Sequence, residues 1–143
     1  MEIKKITREE FKRVVARKPV VVIPIGSIEQ HGPHSVLGTD SFIAETIACE
    51  ACEQTGTLCA PTIYFALSEH HKGFPGTIWV SHETISKYLL DIAKALSCQG
   101  VKRLIFVNGH GGNDSMLSLL SVQLRYELDV ISVVFRYYQS WDQ

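Results

Sequence analysis

Val20-Val21-Val22-Ile23-Pro24-Ile25 is apolar at every position and mostly β-branched, and Gly26 follows at once. A strand with one wet face would alternate apolar and polar residues. A run without alternation reads as a strand buried on both faces of a parallel sheet. A buried helix is the competing reading, and Pro24 within the run argues against it. Leu104-Ile105-Phe106-Val107 has the same character, and Val130 to Phe135 reads as a further strand.

Helical patterns separate these runs. Thr7-Arg8-Glu9-Glu10 is a capping box, Thr7 at the N-cap and Glu10 at N3; it opens a short helix carrying Phe11, Val14 and Val15 that ends at Lys18-Pro19. From Asp40 to about Gln54 a helix is predicted with Phe42, Ile43, Ile47, Ala48 and Ala51 on one side and Gly56 to end it. Leu58 to Phe65 is a strand candidate that Pro61 marks as irregular or at an edge. A loop rich in His, Gly and Pro runs from Ser68 to Thr77. Ile85, Leu89, Ile92 and Leu96 then recur at helical spacing before Gly100. Asn113 is placed to cap a last helix burying Met116, Leu117, Leu120 and Leu124. Strands alternating with helices predict a three-layer α/β/α fold with a mostly parallel sheet. Residues 1–143 are expected to form one domain, long enough to bury roughly 68% of the unfolded chain's surface.

Composition narrows the function classes. Net charge is −1 with no basic block, which disfavours nucleic acid and anionic membrane surfaces as partners. No apolar run approaches the ~20 residues of a membrane span. Met1-Glu2-Ile3-Lys4-Lys5 lacks the apolar stretch of a secretory signal, so a cytoplasmic setting is the expectation. Cys49, Cys52, Cys59 and Cys98 show no paired metal spacing. Cys49 and Cys52 form a C-x-x-C inside a helical pattern and read as small core or helix-surface residues rather than a redox pair.

Chemistry-bearing residues gather where two strands end. Glu29-Gln30-His31-Gly32-Pro33-His34, leading to Asp40, follows the first strand, and Asn108-Gly109-His110-Gly111-Gly112-Asn113 follows the third. Ligands of open parallel sheets cluster beyond the carboxyl ends of the strands, so two loops distant in sequence are expected to meet there. Glu29 and His31, two residues apart, turn to one side of an extended backbone. Asp40 begins a helix, whose dipole favours the ionised carboxylate. Glu29, His31, Asp40 and His110 together suit Zn²⁺ or Mn²⁺ with a position left open for water. An ion there gives a hydroxide nucleophile at neutral pH. His82, at a helix start, reads as an ordinary surface residue; His34, His70 and His71 fall between the two readings.

Taken together the two motifs resemble the metal-binding signature of the creatininase family of amidohydrolases, and Gly73-Phe74-Pro75-Gly76-Thr77 between them fits the same family. The resemblance implies an α/β enzyme with a two-metal centre, commonly zinc or manganese, that hydrolyses small non-peptide or cyclic amides, and a homo-oligomer, often a hexamer. Family members act on creatinine, formylated pyrimidine precursors, cyclic sugar-derived compounds and peptide tags. Carried over by motif, Glu29, Asp40 and His110 hold one ion, while His31 and a bridging Asp40 hold the other. His70 and Phe74-Pro75-Gly76-Thr77 match a segment lining the pocket, which makes those four residues substrate-binding candidates. His34 and His70 are the nearest candidates for a catalytic acid.

Two departures qualify this. In creatininase a glutamate stands at the position of Gly112 and completes the second metal. Many relatives with Gly-Gly here supply that glutamate from a later His-Ala-Gly-Glu segment, together with a catalytic histidine. Gln143 precedes any such segment, so the resemblance covers about the first three-fifths of a family domain. That leaves two expectations: an amidohydrolase in a shortened or partial form, or a non-catalytic metal- or ligand-binding homologue that a partner completes.

Overall fold

The structure, a computed structural model, describes residues 1–142, with side chains as far as Gln139. The apolar run forms strand β1 (Val20–Ile25), which pairs in parallel with β3 (Arg103–Asn108), from Val20 opposite Arg103 to Ile25 opposite Asn108. On the far side of β3 lies β4 (Ile131–Arg136), and on the far side of β1 lies the short β2 (Leu58–Cys59). The order is β2-β1-β3-β4, all parallel.

Helices α3 (His82–Cys98) and α4 (Asp114–Leu128) cover one face. There Val21, Ile23 and Ile25 of β1 and Leu104 and Phe106 of β3 meet Ile85, Leu89, Leu117, Leu120 and Leu124. Helix α1 (Arg8–Val15) joins the same cluster through Phe11, Val14 and Val15, and its capping box is formed as expected. Helix α2 (Thr39–Thr55) covers the other face, against Val22, Cys59 and Val107. The result is the α/β/α layering that unalternated strands require.

The buried side of α2 differs from the expected one. It consists of Ser41, Ala44, Ala48 and Cys52, while Phe42 is 53% exposed and Ala51 also faces solvent. Small side chains let this helix lie close to the sheet, and closeness decides the face here more than hydrophobicity does. Its first turn presses on two glycines. A Cβ at Gly26 would stand 2.4 Å from Ser41 N, and one at Gly109 would stand 2.1 Å from the Asp40 carbonyl oxygen. Gly26 and Gly109, at the ends of β1 and β3, thereby admit Asp40 to the strand ends.

Two further expectations change in detail. The strand from Leu58 to Phe65 is regular only to Cys59; beyond Pro61, which has no N–H, single bonds such as Ile63 N–H to the Pro24 carbonyl hold it to β1. Asn113 sits at the N-cap of α4, but its side chain caps nothing. It is fully buried and ties three segments together instead: Oδ1 accepts from Leu67 N, and Nδ2 donates to Gly26 O and Asn108 Oδ1. Gly56 (φ +66°) and Gly100 (φ +95°) stand at the ends of α2 and α3 as predicted. Among the described residues no helix is long and apolar enough to cross a membrane.

Candidate metal centre

The loops after β1 and β3 meet around Asp40. Glu29, Asp40 and His110 are all buried, at 5%, 6% and 6% exposure, an unusual depth for two carboxylates and an imidazole. His31, half-buried, reaches in from the rim. The two oxygens of Asp40 have different neighbours: Oδ1 lies 3.0 Å from His31 Nε2, and Oδ2 lies 2.9 Å from His110 Nδ1. Ser27 Oγ, also buried, donates to Oδ2 at 2.8 Å.

The far nitrogens of both rings reveal what the near ones carry. His110 Nε2 is 2.7 Å from the Leu67 carbonyl oxygen and His31 Nδ1 is 3.1 Å from the Glu29 carbonyl oxygen. A carbonyl oxygen only accepts, so each of these nitrogens bears the hydrogen. In the neutral rings the remaining nitrogens turn lone pairs toward carboxylate oxygens, which also only accept. Such an arrangement is repulsive unless a proton or a cation stands between them. Glu29 adds to it. Its Oε2 is 3.3 Å from His110 Nδ1 yet outside hydrogen-bond geometry, a buried carboxylate oxygen with no hydrogen-bond partner among the described residues. An orphaned buried anion is costly unless a cation satisfies it.

In the metal-free chain a proton meets part of this demand, between His110 and Asp40. Burial alone would raise the Asp40 carboxyl, but hydrogen bonds from His110 and Ser27, with the charges of both histidines, hold it below the ordinary range. Burial alone would lower His110; its hydrogen bond to Asp40 and the negative charges of Glu29 and Asp40 outweigh that and raise it. A divalent ion would satisfy the same lone pairs with more charge. Ligand atoms of Glu29, His31 and Asp40 all lie within 4.8 Å of one another, and those of Glu29, His70 and His71 do likewise. The first group fits an ion better. In the second, Gln30 Oε1 accepts from Gly32 N and its Nε2 stands 3.1 Å from His71 Nδ1, so Gln30 donates and His71 carries its hydrogen on Nε2. That N–H points toward Glu29 Oε1, 3.6 Å away, as a donor rather than a lone pair.

The other expected residues are more exposed and less constrained. His70 is exposed and stacks on His110, ring centroids 5.4 Å apart and planes 8° from parallel. His34 is exposed, and among the described residues no hydrogen bond or ion pair of the cluster reaches it. Phe74 is 52% exposed with its ring 6.1 Å from that of His71, Pro75 and Gly76 are exposed beside it, and Thr77 Oγ1 accepts from Gln30 N. Sequence reading overlooked Ser27, Gln30 and Asn113. Only Ser27 carried a local signal: it alternates with Glu29 and His31, and so points to the same side of an extended segment.

Gly112 is more constrained than its lack of a side chain implies. A Cβ there would stand 2.4 Å from His110 Nε2 and 2.6 Å from the Leu67 carbonyl oxygen, across the bond that orients His110. The backbone fills the place where a ligand at position 112 would begin.

A buried carboxylate at the carboxyl ends of a parallel sheet, flanked by oriented imidazoles, is an α/β arrangement with candidate ligands for a divalent ion. Comparison with known proteins agrees. The family model described as creatininase, creatinine amidohydrolase, matches residues 4–143. The chain is 39% identical over 115 residues to the mycofactocin precursor peptide peptidase of Mycolicibacterium smegmatis, covering 76% of this chain and 46% of that protein. It is 29% identical over 131 residues to the creatinine amidohydrolase of Pseudomonas putida, covering 85% of this chain and 50% of that protein. A solved mutant creatininase of the Zn-Zn type superposes with a TM-score of 0.87 at 27% identity, over 99% of this chain and 60% of that one. The chain belongs to the creatininase family. It spans about half the length of these two curated relatives.

Proposed function

We propose that this chain carries the metal-holding part of a creatininase-type amidohydrolase acting on a small non-peptide or cyclic amide. Glu29, Asp40 and His110 would hold one divalent ion, and His31 with Asp40 would hold another; the donor set, two carboxylates and two imidazoles, suits Zn²⁺ or Mn²⁺. The observation that carries this reading is Asp40, each of whose oxygens faces an imidazole nitrogen already fixed by a backbone carbonyl on the ring's other side.

When bound, such an ion lowers the pKa of its water to roughly 7 and polarises a carbonyl oxygen. The chain itself supplies placement. Ser27 orients Asp40, Leu67 O orients His110, and Gln30 presents the His71 N–H toward Glu29 at the mouth. His70 and the Phe74-Pro75-Gly76-Thr77 segment border the same opening and are proposed to contact substrate. His34 is proposed to approach only with substrate bound. A homo-oligomer fits the exposed apolar residues of β4, Ile131, Val133 and Phe135.

Gly112 favours a second reading: a metal-binding chain that a partner must complete. Position 112 has neither a side chain nor room for one, which leaves the second ion His31 and Asp40 where a catalytic zinc site takes three protein ligands. Amide turnover by the purified chain with added Zn²⁺ or Mn²⁺ separates the two. Release of free amine that a chelator abolishes supports the enzyme. Tight metal binding without turnover supports the incomplete site.

A further inference from the structure

Three of the four free cysteines meet where α2 rests on β2. Cys49 and Cys52 lie one turn apart on the helix, and Cys59 lies on β2 opposite Val22 of β1. Sequence spacing pairs Cys49 with Cys52. The fold brings it to a different partner: Cys49 Sγ and Cys59 Sγ are 3.8 Å apart, in van der Waals contact. Cys52 Sγ also interacts with Cys59.

Access to these thiols is unequal. Cys52 and Cys59 are each 1% exposed. Cys49 is half-buried and opens onto a surface hollow of about 340 Å³ that Met1, Glu2, Lys5 and Glu53 also line. One sulfur can therefore meet a small reagent from solvent, with a second sulfur waiting behind it.

We propose that Cys49 and Cys59 are a modification site, forming a reversible disulfide when a small hydroperoxide enters this hollow. The Cys49 thiolate attacks the terminal peroxide oxygen; an S–O bond forms, the O–O bond breaks, and the departing hydroxide (an alkoxide from an organic hydroperoxide) takes a proton to become water (or the alcohol). Cys59 sulfur then attacks the Cys49 sulfenic acid. The S–S bond forms, the S–O bond breaks, and hydroxide leaves with the Cys59 thiol proton as a second water. Two thiols lose two electrons and one hydroperoxide is reduced, to two waters where it is hydrogen peroxide. Closing from contact to a bond of about 2.05 Å asks for side-chain rotation where the helix and strand already touch.

The order of attack follows from burial. Cys49 is the sulfur that solvent reaches and Cys59 is buried, so Cys49 meets the hydroperoxide first; burial and the two neighbouring sulfurs also push the Cys59 thiol far above its ordinary range, which makes it the poorer first nucleophile. Nothing in this chemistry uses the metal cluster, so it stands or falls apart from the proposed hydrolase activity.

The test uses the reduced full chain, treated with hydrogen peroxide while folded, then denatured, alkylated and mapped by peptide mass spectrometry. The expected product has lost two hydrogens, joins the Cys49 and Cys59 peptides, leaves Cys52 and Cys98 alkylated, and is reversed by a phosphine reductant. Cys98→Ser retains this product and Cys49→Ser loses it. The wild-type peptide map decides the matter without either variant. A Cys49–Cys52 link, Cys49 sulfinic acid beside an alkylated Cys59, or linkage through Cys98 alone overturns the proposal. Chain unfolded before oxidation gives mixed links if the fold makes the choice; the same single Cys49–Cys59 link from unfolded chain also overturns it.

Discussion

Across β1 and β3 the sheet is packed on both sides, α3 and α4 on one and α2 on the other, whereas β4 is packed on one side only. Toward α4, β4 presents Ser132, Val134 and Arg136, which are half-buried; away from it, Ile131, Val133 and Phe135 are 54%, 57% and 40% exposed. The doubly covered strands are the ones whose ends carry the candidate metal ligands. A polar cluster of buried carboxylates needs a rigid floor, because each group is held against an unfavourable burial cost by neighbours that must not move. The singly covered strand supplies Arg136, whose guanidinium pairs at 2.8 Å with Asp114, which also accepts from Asn108 at the end of β3.

The contrast is sharpest in stability. Phe106→Ala, at a fully buried site on β3 in the core shared with α3 and α4, should cost about 3–5 kcal/mol, while Val133→Ala should cost less than about 1 kcal/mol. Urea midpoints of the two variants check it, and similar losses would break the comparison. Val133→Lys should leave the midpoint nearly unchanged while reducing self-association in light scattering, since it places charge in the middle of the open face.

Gly112→Ala tests the rigid floor at the site itself. Its Cβ would press on His110 Nε2 and Leu67 O, so the variant should lose about 1–3 kcal/mol and bind metal more weakly. For the same reason Gly112→Glu should not raise metal content merely by adding a carboxylate, although family resemblance alone points the other way. A second tightly held ion in Gly112→Glu would show that this loop yields more than its packing indicates.

The pH dependence is a smaller effect with a definite sign. His110 titrates above its ordinary 6.5, so the stability it contributes in the metal-free chain is full below that value and is lost as pH rises through its raised value. Asp40 titrates below its ordinary 3.8, so its contribution is present above that value and is lost as pH falls through its lowered one. Metal competes with the proton on His110. Added Zn²⁺ should therefore raise the unfolding temperature more at about pH 8.5 than at about pH 5.5. Equal shifts at both would argue that His110 does not bind the ion.

Much of this was legible in the chain. Unalternated runs gave β1 and β3 because a strand buried twice has no polar side to show, and the two motifs announced themselves by following those runs. The buried face of α2 was misjudged, since hydrophobic periodicity weighs Phe42 above Ala44 and takes no account of how near the helix must come. Asn113 was assigned a local cap because residue type suggests the nearest backbone, yet two of its three partners lie 46 and 87 residues away. The role of Gln30 was hidden likewise: its bond to His71 spans 41 residues and exists only once the loop from Ser68 folds back. Cys59 shows no spacing to Cys49 that a motif could register; only the packing of α2 on β2 joins them.

Asp40 is proposed to serve both sides of the centre, one oxygen toward His31 and one toward His110. The direct test is metal content per chain by native mass spectrometry and elemental analysis, for wild type, Asp40→Ala and His31→Ala after loading with Zn²⁺ or Mn²⁺. Bound metal is expected in wild type, loss of it from both positions in Asp40→Ala, and retention of the ion held by Glu29 and His110 in His31→Ala. Unchanged metal content in Asp40→Ala would rule out the shared role of Asp40.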